Sequence, residues 1–124
     1  MRYTIEKHER YVIIEPLRAI IDAEAASFLK GEFMLRNTSG QRNIVLDLNQ
    51  VDEISEDGIR MGLLAHRLCQ SVGGLFILTC LKPSVEKMLI ISQLDKYFTI
   101  VKKVTDAEDI IFGNEISREL KGEN

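Results

Sequence analysis

Residues 43–68 read "NIVLDLNQVDEISEDGIRMGLLAHRL", and the fold turns on how that stretch is parsed. "NIVLDL" is a short, nearly continuous apolar run, the pattern of a strand buried on both faces. From Ser55 to Val72 apolar residues recur at spacings of three and four, which predicts a helix. One face carries Ile59, Leu63, His66 and Cys69 or Gln70. The other carries Met61, Leu64 and Leu68, so the helix is apolar over a wide arc. "GG" at 73–74 ends it, as glycine does after a last helical turn. Between strand and helix, Asp52, Glu53, Glu56 and Asp57 crowd around one helix start, beside Ser55 and just before Gly58.

Outward from this unit the chain keeps alternating. Tyr3–Lys7 and Tyr11–Glu15 are β-branched and aromatic runs joined by the polar "HER", and they predict a hairpin. Asp22–Arg36 carries Ala25, Ala26, Leu29, Phe33 and Met34 at helical spacing, with Asp22 placed to cap the first turn; "NTSGQ" breaks it. "LFILTC" (75–80) is a second buried strand. Pro83-Ser84 opens a helix from Val85 to Leu94, with Ser84 as its N-cap, and "YFTIV" (97–101) is a fifth strand. The last helix starts at Thr105, where "TDAE" has the form of a capping box closed by Glu108. The charged tail "SRELKGEN" is expected to fray at its end.

The order ββαβαβαβα predicts an α/β fold: a mixed, mostly parallel sheet of about five strands, right-handed crossovers, and helices packed against it. No repeat, linker or low-complexity stretch divides it. Residues 1–124 are expected to form one domain, of which 112–124 are a charged helix end and tail.

Composition narrows the function. The 124 residues are 45% hydrophobic and 28% charged, the balance of a globular chain. A net charge of −3 argues against nucleic-acid binding, which needs a basic face. No apolar run is long enough to span a bilayer, and "MRYTIEKHER" lacks the form of a signal peptide. Cys69 and Cys80 are isolated and read as reduced, buried residues, so a cytoplasmic location is expected. Partners are expected to be proteins or small molecules.

The acidic cluster does not have the alternate-position spacing of a calcium loop, and helix dipoles favour acidic first turns in any case. No metal or cofactor is expected there. A phosphoryl-accepting Asp would need further carboxylates for Mg²⁺ and a cation near the oxygens. A receiver domain places them after the first and fifth strands, whereas this chain opens with a hairpin and puts Asp57 at a helix start. His8 reads as a solvated turn residue and His66 as a semi-buried helical one. No nucleophile elbow or Gly-rich phosphate loop is present. Nothing reads as an enzyme. Gly58 and Gly62 lower helix propensity, which close approach of a partner or of the sheet explains.

With these classes set aside, residues 43–68 resemble the signature of the STAS family, the domains of anti-sigma factor antagonists and sulfate-transporter tails. In that family a strand ending Asp-Leu precedes a short connection, and Asp-Ser-Ser-Gly-Leu then opens a helix. "IIDAEAASFLK" is similar to the family's Asp-capped first helix. "GGLFILTCLKPSVEKMLIISQLDKYFTIVKKVTDAEDII" is similar to its later strands and helices. The resemblance covers residues 2 to about 111.

This chain departs from the family at one telling place. Antagonists carry the phosphorylated serine immediately before the Gly, and here Asp57 stands there, within Ser55-Glu56-Asp57-Gly58. The resemblance implies a non-enzymatic regulator that binds an anti-sigma factor of the histidine-kinase-like ATPase type. It implies docking at Ser55, Glu56, Asp57, Gly58 and Ile59, with Asp22 and Lys82 alongside. Asp57 would imitate phosphoserine in part; read locally, Ser55 is an N-cap and Glu56 and Asp57 complement the helix dipole, and both readings can hold together. Two other roles of the family stay open: a subunit of a membrane transport complex, and a scaffold in a stress-signalling assembly.

Overall fold

The structure, a computed structural model, describes residues 1–122. In chain order the elements are β1 (Tyr3–Lys7), β2 (Val12–Pro16), β3 (Ile20–Ile21), α1 (Ala23–Thr38), β4 (Ile44–Asp47), β5 (Glu53–Ile54), α2 (Glu56–Ser71), β6 (Phe76–Thr79), α3 (Pro83–Ile91), β7 (Thr99–Val101) and α4 (Val104–Leu120). β1 and β2 form the expected antiparallel hairpin, with Tyr3 opposite Pro16 and Lys7 opposite Val12. β2, β4, β6 and β7 then pair in parallel, giving a mixed sheet in the order β1-β2-β4-β6-β7.

The continuous apolar strands have a simple cause: both faces of the sheet are covered. Alternate residues point to opposite sides. Val12, Ile14, Ile44, Leu46, Phe76 and Leu78 pack toward α1, α2 and α3. Ile13, Val45 and Ile77 pack against Ala107 and Ile111 of α4 on the other side.

Several local expectations are corrected by tertiary contacts. Met34 is exposed; the inward stripe of α1 is Ala25, Ala26, Leu29 and Phe33. α3 begins at Pro83 after Lys82, with no side-chain cap, because the Ser84 hydroxyl donates to the Asp52 carbonyl at 2.8 Å instead. It ends at Ile91, and Leu94 belongs to a separate 3-10 turn, Leu94–Lys96, entered through Gln93 at φ +62°. β7 starts only at Thr99, since the Tyr97 and Phe98 rings pack around His66. His8 is not merely solvated: its ring stacks on Tyr11 with centroids 4.3 Å apart and bonds Glu6. Cys69 is buried as expected, whereas Cys80 is only half-buried and takes φ +60°.

The capping box at Thr105 does not form. α4 starts one residue earlier, after Lys103, and Glu108 accepts the hydroxyl of Tyr11 instead of closing on its own helix start. α4 runs on to Leu120, and the last two residues of the tail expected to fray lie outside the described residues. Burial, then the bond and charge of Glu108, push the Tyr11 phenol up to about 12 from 10.0. A folded tyrosine that keeps its proton longer than an unfolded one contributes stability that is complete below pH 10 and lost as pH rises toward 12. A titration of phenolate absorbance should therefore show one late-ionising tyrosine that Tyr11→Phe removes. The same substitution should flatten the decline of stability over that interval.

Candidate functional site

The start of α2 is positioned by a small ladder apart from the main sheet. β3 and β5 pair in parallel, Ile20 with Glu53 and Ile21 with Ile54. The N–H groups of Asp52 and Glu53 both donate to the Ala19 carbonyl, and Ser55 N–H donates to that of Ile21 at 2.9 Å. Two-residue strands carry too little periodicity to be read from sequence.

The first turn of α2 lies hard against this ladder. A Cβ on Gly58 would sit 2.5 Å from Ile54 Cγ2 and 3.2 Å from the Ile21 carbonyl oxygen, and one on Gly62 would sit 3.2 Å from the Phe98 ring. Both glycines thus answer to close approach inside the chain. Ser55 takes the extended N-cap conformation, and its Oγ accepts from Gly58 N–H at 3.2 Å. Ile59 is half-buried and packs on the core.

The carboxylates do not converge. Glu56 and Asp57 both receive bonds from Arg60, at 2.5 and 2.8 Å, on the outer side of the first turn. Asp52 pairs with Lys82 at 2.8 Å. Asp22 caps α1 by accepting from Ala25 N–H at 2.9 Å and pairs with Arg18 at 3.0 Å. The Ala25 N–H holds the Asp22 carboxyl below its usual range; burial opposes this and the Arg18 charge adds to it. Among the described residues, no three His, Cys, Asp or Glu side chains group as metal ligands would.

The structure therefore gathers the residues singled out from sequence. The segment at Asp22 is tied to Ser55 through Ile21, and Lys82 is tied to the same loop through Asp52, all beyond the C-terminal ends of the parallel strands. The Asp57 side chain is 52% exposed. It lines an open groove of about 450 Å³ between α1 and α2, shared with Lys30, Arg60 and Arg67. Arg60 was missed by sequence reasoning, although its spacing of four from Glu56 was a usable signal. The Asp52–Lys82 pair, thirty residues apart, carried none.

Comparison with known proteins places this geometry. The STAS domain family matches residues 2–107, and the chain belongs to that family. BtrV of Bordetella bronchiseptica, assigned as an anti-sigma factor antagonist, is 31% identical over 100 residues, spanning 81% of this chain and 85% of BtrV. The crystal structure of tm1081 from Thermotoga maritima, assigned likewise, superposes with a TM-score of 0.80 at 22% identity, covering 88% of this chain and 93% of that one. The anti-sigma factor antagonist SpoIIAA in its unphosphorylated form gives 0.71 at 18% identity, covering 90% and 99%. These two structures share the fold with this chain.

The close approach of Gly58 makes a stability prediction. Gly58→Ala should destabilise by about 1–3 kcal/mol, the usual cost of overpacking, because both Ile54 and the Ile21 backbone must move. Urea unfolding of the two proteins measures it; an unchanged midpoint would show that the ladder yields freely.

Proposed function

We propose that this protein is an anti-sigma factor antagonist-like regulator that docks through the start of α2, with a fixed carboxylate where such antagonists carry a switchable serine. The observation that carries the reading is Asp57 itself. It stands exposed on the first turn, one residue before Gly58, while the nearby Ser55 hydroxyl accepts the Gly58 N–H as a cap. The assignment of BtrV as an anti-sigma factor antagonist supports the partner class. The partner is an anti-sigma factor of the histidine-kinase-like ATPase type, held by contact and not by catalysis, in the cytoplasm. Sequestering it releases a sigma factor.

The charge at the site is intermediate between the two states of a serine switch. Phosphoserine carries about −1.5 to −2. Here Glu56 and Asp57 contribute two negative charges and Arg60 one positive, so the first turn keeps a net −1. Repulsion from nucleotide phosphates in the partner acts in the direction of phosphorylation, but more weakly. Asp57→Ser should therefore bind the anti-sigma factor more tightly, by about 1 kcal/mol at low salt, with the gain shrinking as salt rises. Titration calorimetry at two ionic strengths measures this. Weaker binding by Asp57→Ser would make Asp57 an attractive contact and point to a basic docking pocket.

A second expectation concerns phosphorylation. Asp57 offers no hydroxyl, and Ser55 is held as a cap. Incubation with the partner kinase and ATP should leave the intact mass unchanged; a stoichiometric phosphate mapped to Ser55 would show that the serine switch survives two residues upstream.

A further inference from the structure

The two edges of the main sheet are built differently. β1 carries Thr4, Glu6 and Lys7 exposed, polar and charged residues of the kind that keep an edge from pairing with other chains. β7 is Thr99-Ile100-Val101, β-branched throughout and without a charge. Among the described residues its backbone pairs with β6 on one side and with no strand on the other. A cleft of about 510 Å³ lies there, with Leu81, Ile90 and Ile100 as its apolar wall and Ile90 53% exposed. Val101 lines it too, although Ile100 packs on the α3 side of the sheet and Val101 on the α4 side. Neighbours in a strand point to opposite faces, so a cleft that touches both follows the edge itself. Glu86 and Asp95 add two carboxylates, the second half-buried. Among the described residues neither side chain has a hydrogen bond or ion pair, not even with Lys102, which lines the same cleft.

We propose that this cleft takes an extended, basic segment of a partner protein, which adds to the sheet as a strand beside β7. Three features of the cleft set the chemistry of that segment. The unpaired N–H and C=O groups of a strand edge are matched by another extended chain; a helix has already satisfied its own. The apolar wall selects an apolar side chain on the face of the added strand turned toward α3. Two carboxylates without a cation select Lys or Arg on either side of it, at alternate positions, because strand residues two apart share a face. None of residues 52–60 lines the cleft. The surface is therefore distinct from the start of α2, and the inference stands apart from the reading of Asp57.

The test titrates the labelled full chain with the peptide acetyl-Thr-Lys-Thr-Ile-Thr-Lys-Thr-amide, read by amide nuclear magnetic resonance. A short strand offers few backbone bonds, so dissociation on the order of 0.1–1 mM is expected for the peptide alone. Shift changes should centre on Leu81, Glu86, Ile90 and residues 99–102, with amide exchange slowed in β7. Glutamate in place of both peptide lysines should weaken binding at least tenfold, and so should N-methylation of the peptide bonds that face β7. Glu86→Gln combined with Asp95→Asn should do the same with an unchanged circular dichroism spectrum, as should Ile90→Ser at its exposed site. No saturable change at Thr99–Val101 up to about 5 mM peptide would overturn the proposal. So would an N-methylated peptide that binds as well, a carboxylate double variant that binds unchanged, calcium chloride alone producing the same shifts, or two copies of the chain pairing through β7.

Discussion

The contact between Gly58 and the β3–β5 ladder governs the geometry of the end of the sheet where α2 starts. With no side chain at Gly58, the first turn of α2 rests on Ile54 and within reach of the Ile21 carbonyl. The inward line of the helix continues through Met61, Gly62, Ala65 and Cys69, mostly small residues. α2 therefore sits close to the sheet, and its N-terminus is held at a fixed height above the strand ends. A larger residue at Gly58 would lift the first turn, and with it Asp57, away from the loops at Asp22 and Lys82.

Electrostatics then decides what that fixed turn presents. Acidic residues suit a helix N-terminus; Glu56 and Asp57 share Arg60, Asp52 pairs with Lys82, and Asp22 pairs with Arg18. Exposed pairs of this kind contribute about 0–1 kcal/mol each, too little to explain the cluster by stability. Their consequence is the shape of the field at the surface. Asp57 lies exposed on the first turn, with Arg60 folded back over its flank.

Much of the architecture was legible in the sequence because it rests on pattern. Apolar runs gave the buried strands, helical spacing gave α1 and α2, and Asp22 and Ser55 are the caps their positions announced. What escaped reading depends on residues distant in the chain. Ser84 and Glu108 look like local caps, yet Asp52 and Tyr11 recruit them from thirty-two and ninety-seven residues away. Met34 has the spacing of a core residue but falls outside the arc that α2 and the sheet can cover. The ladder that sets the height of α2 consists of two short pairs, and only the contacts of Gly58 reveal its importance.

The central claim is that docking is confined to the end of the sheet where Asp22, the α2 start and Lys82 meet. An amide nuclear magnetic resonance titration of the labelled chain with an unlabelled anti-sigma factor tests it directly. The account predicts shift changes concentrated at residues 18–22, 52–60 and 82–84, with the opposite end around Arg42 and Gly73 unmoved. Changes centred on Arg42 and Gly73, with the α2 start silent, would contradict it.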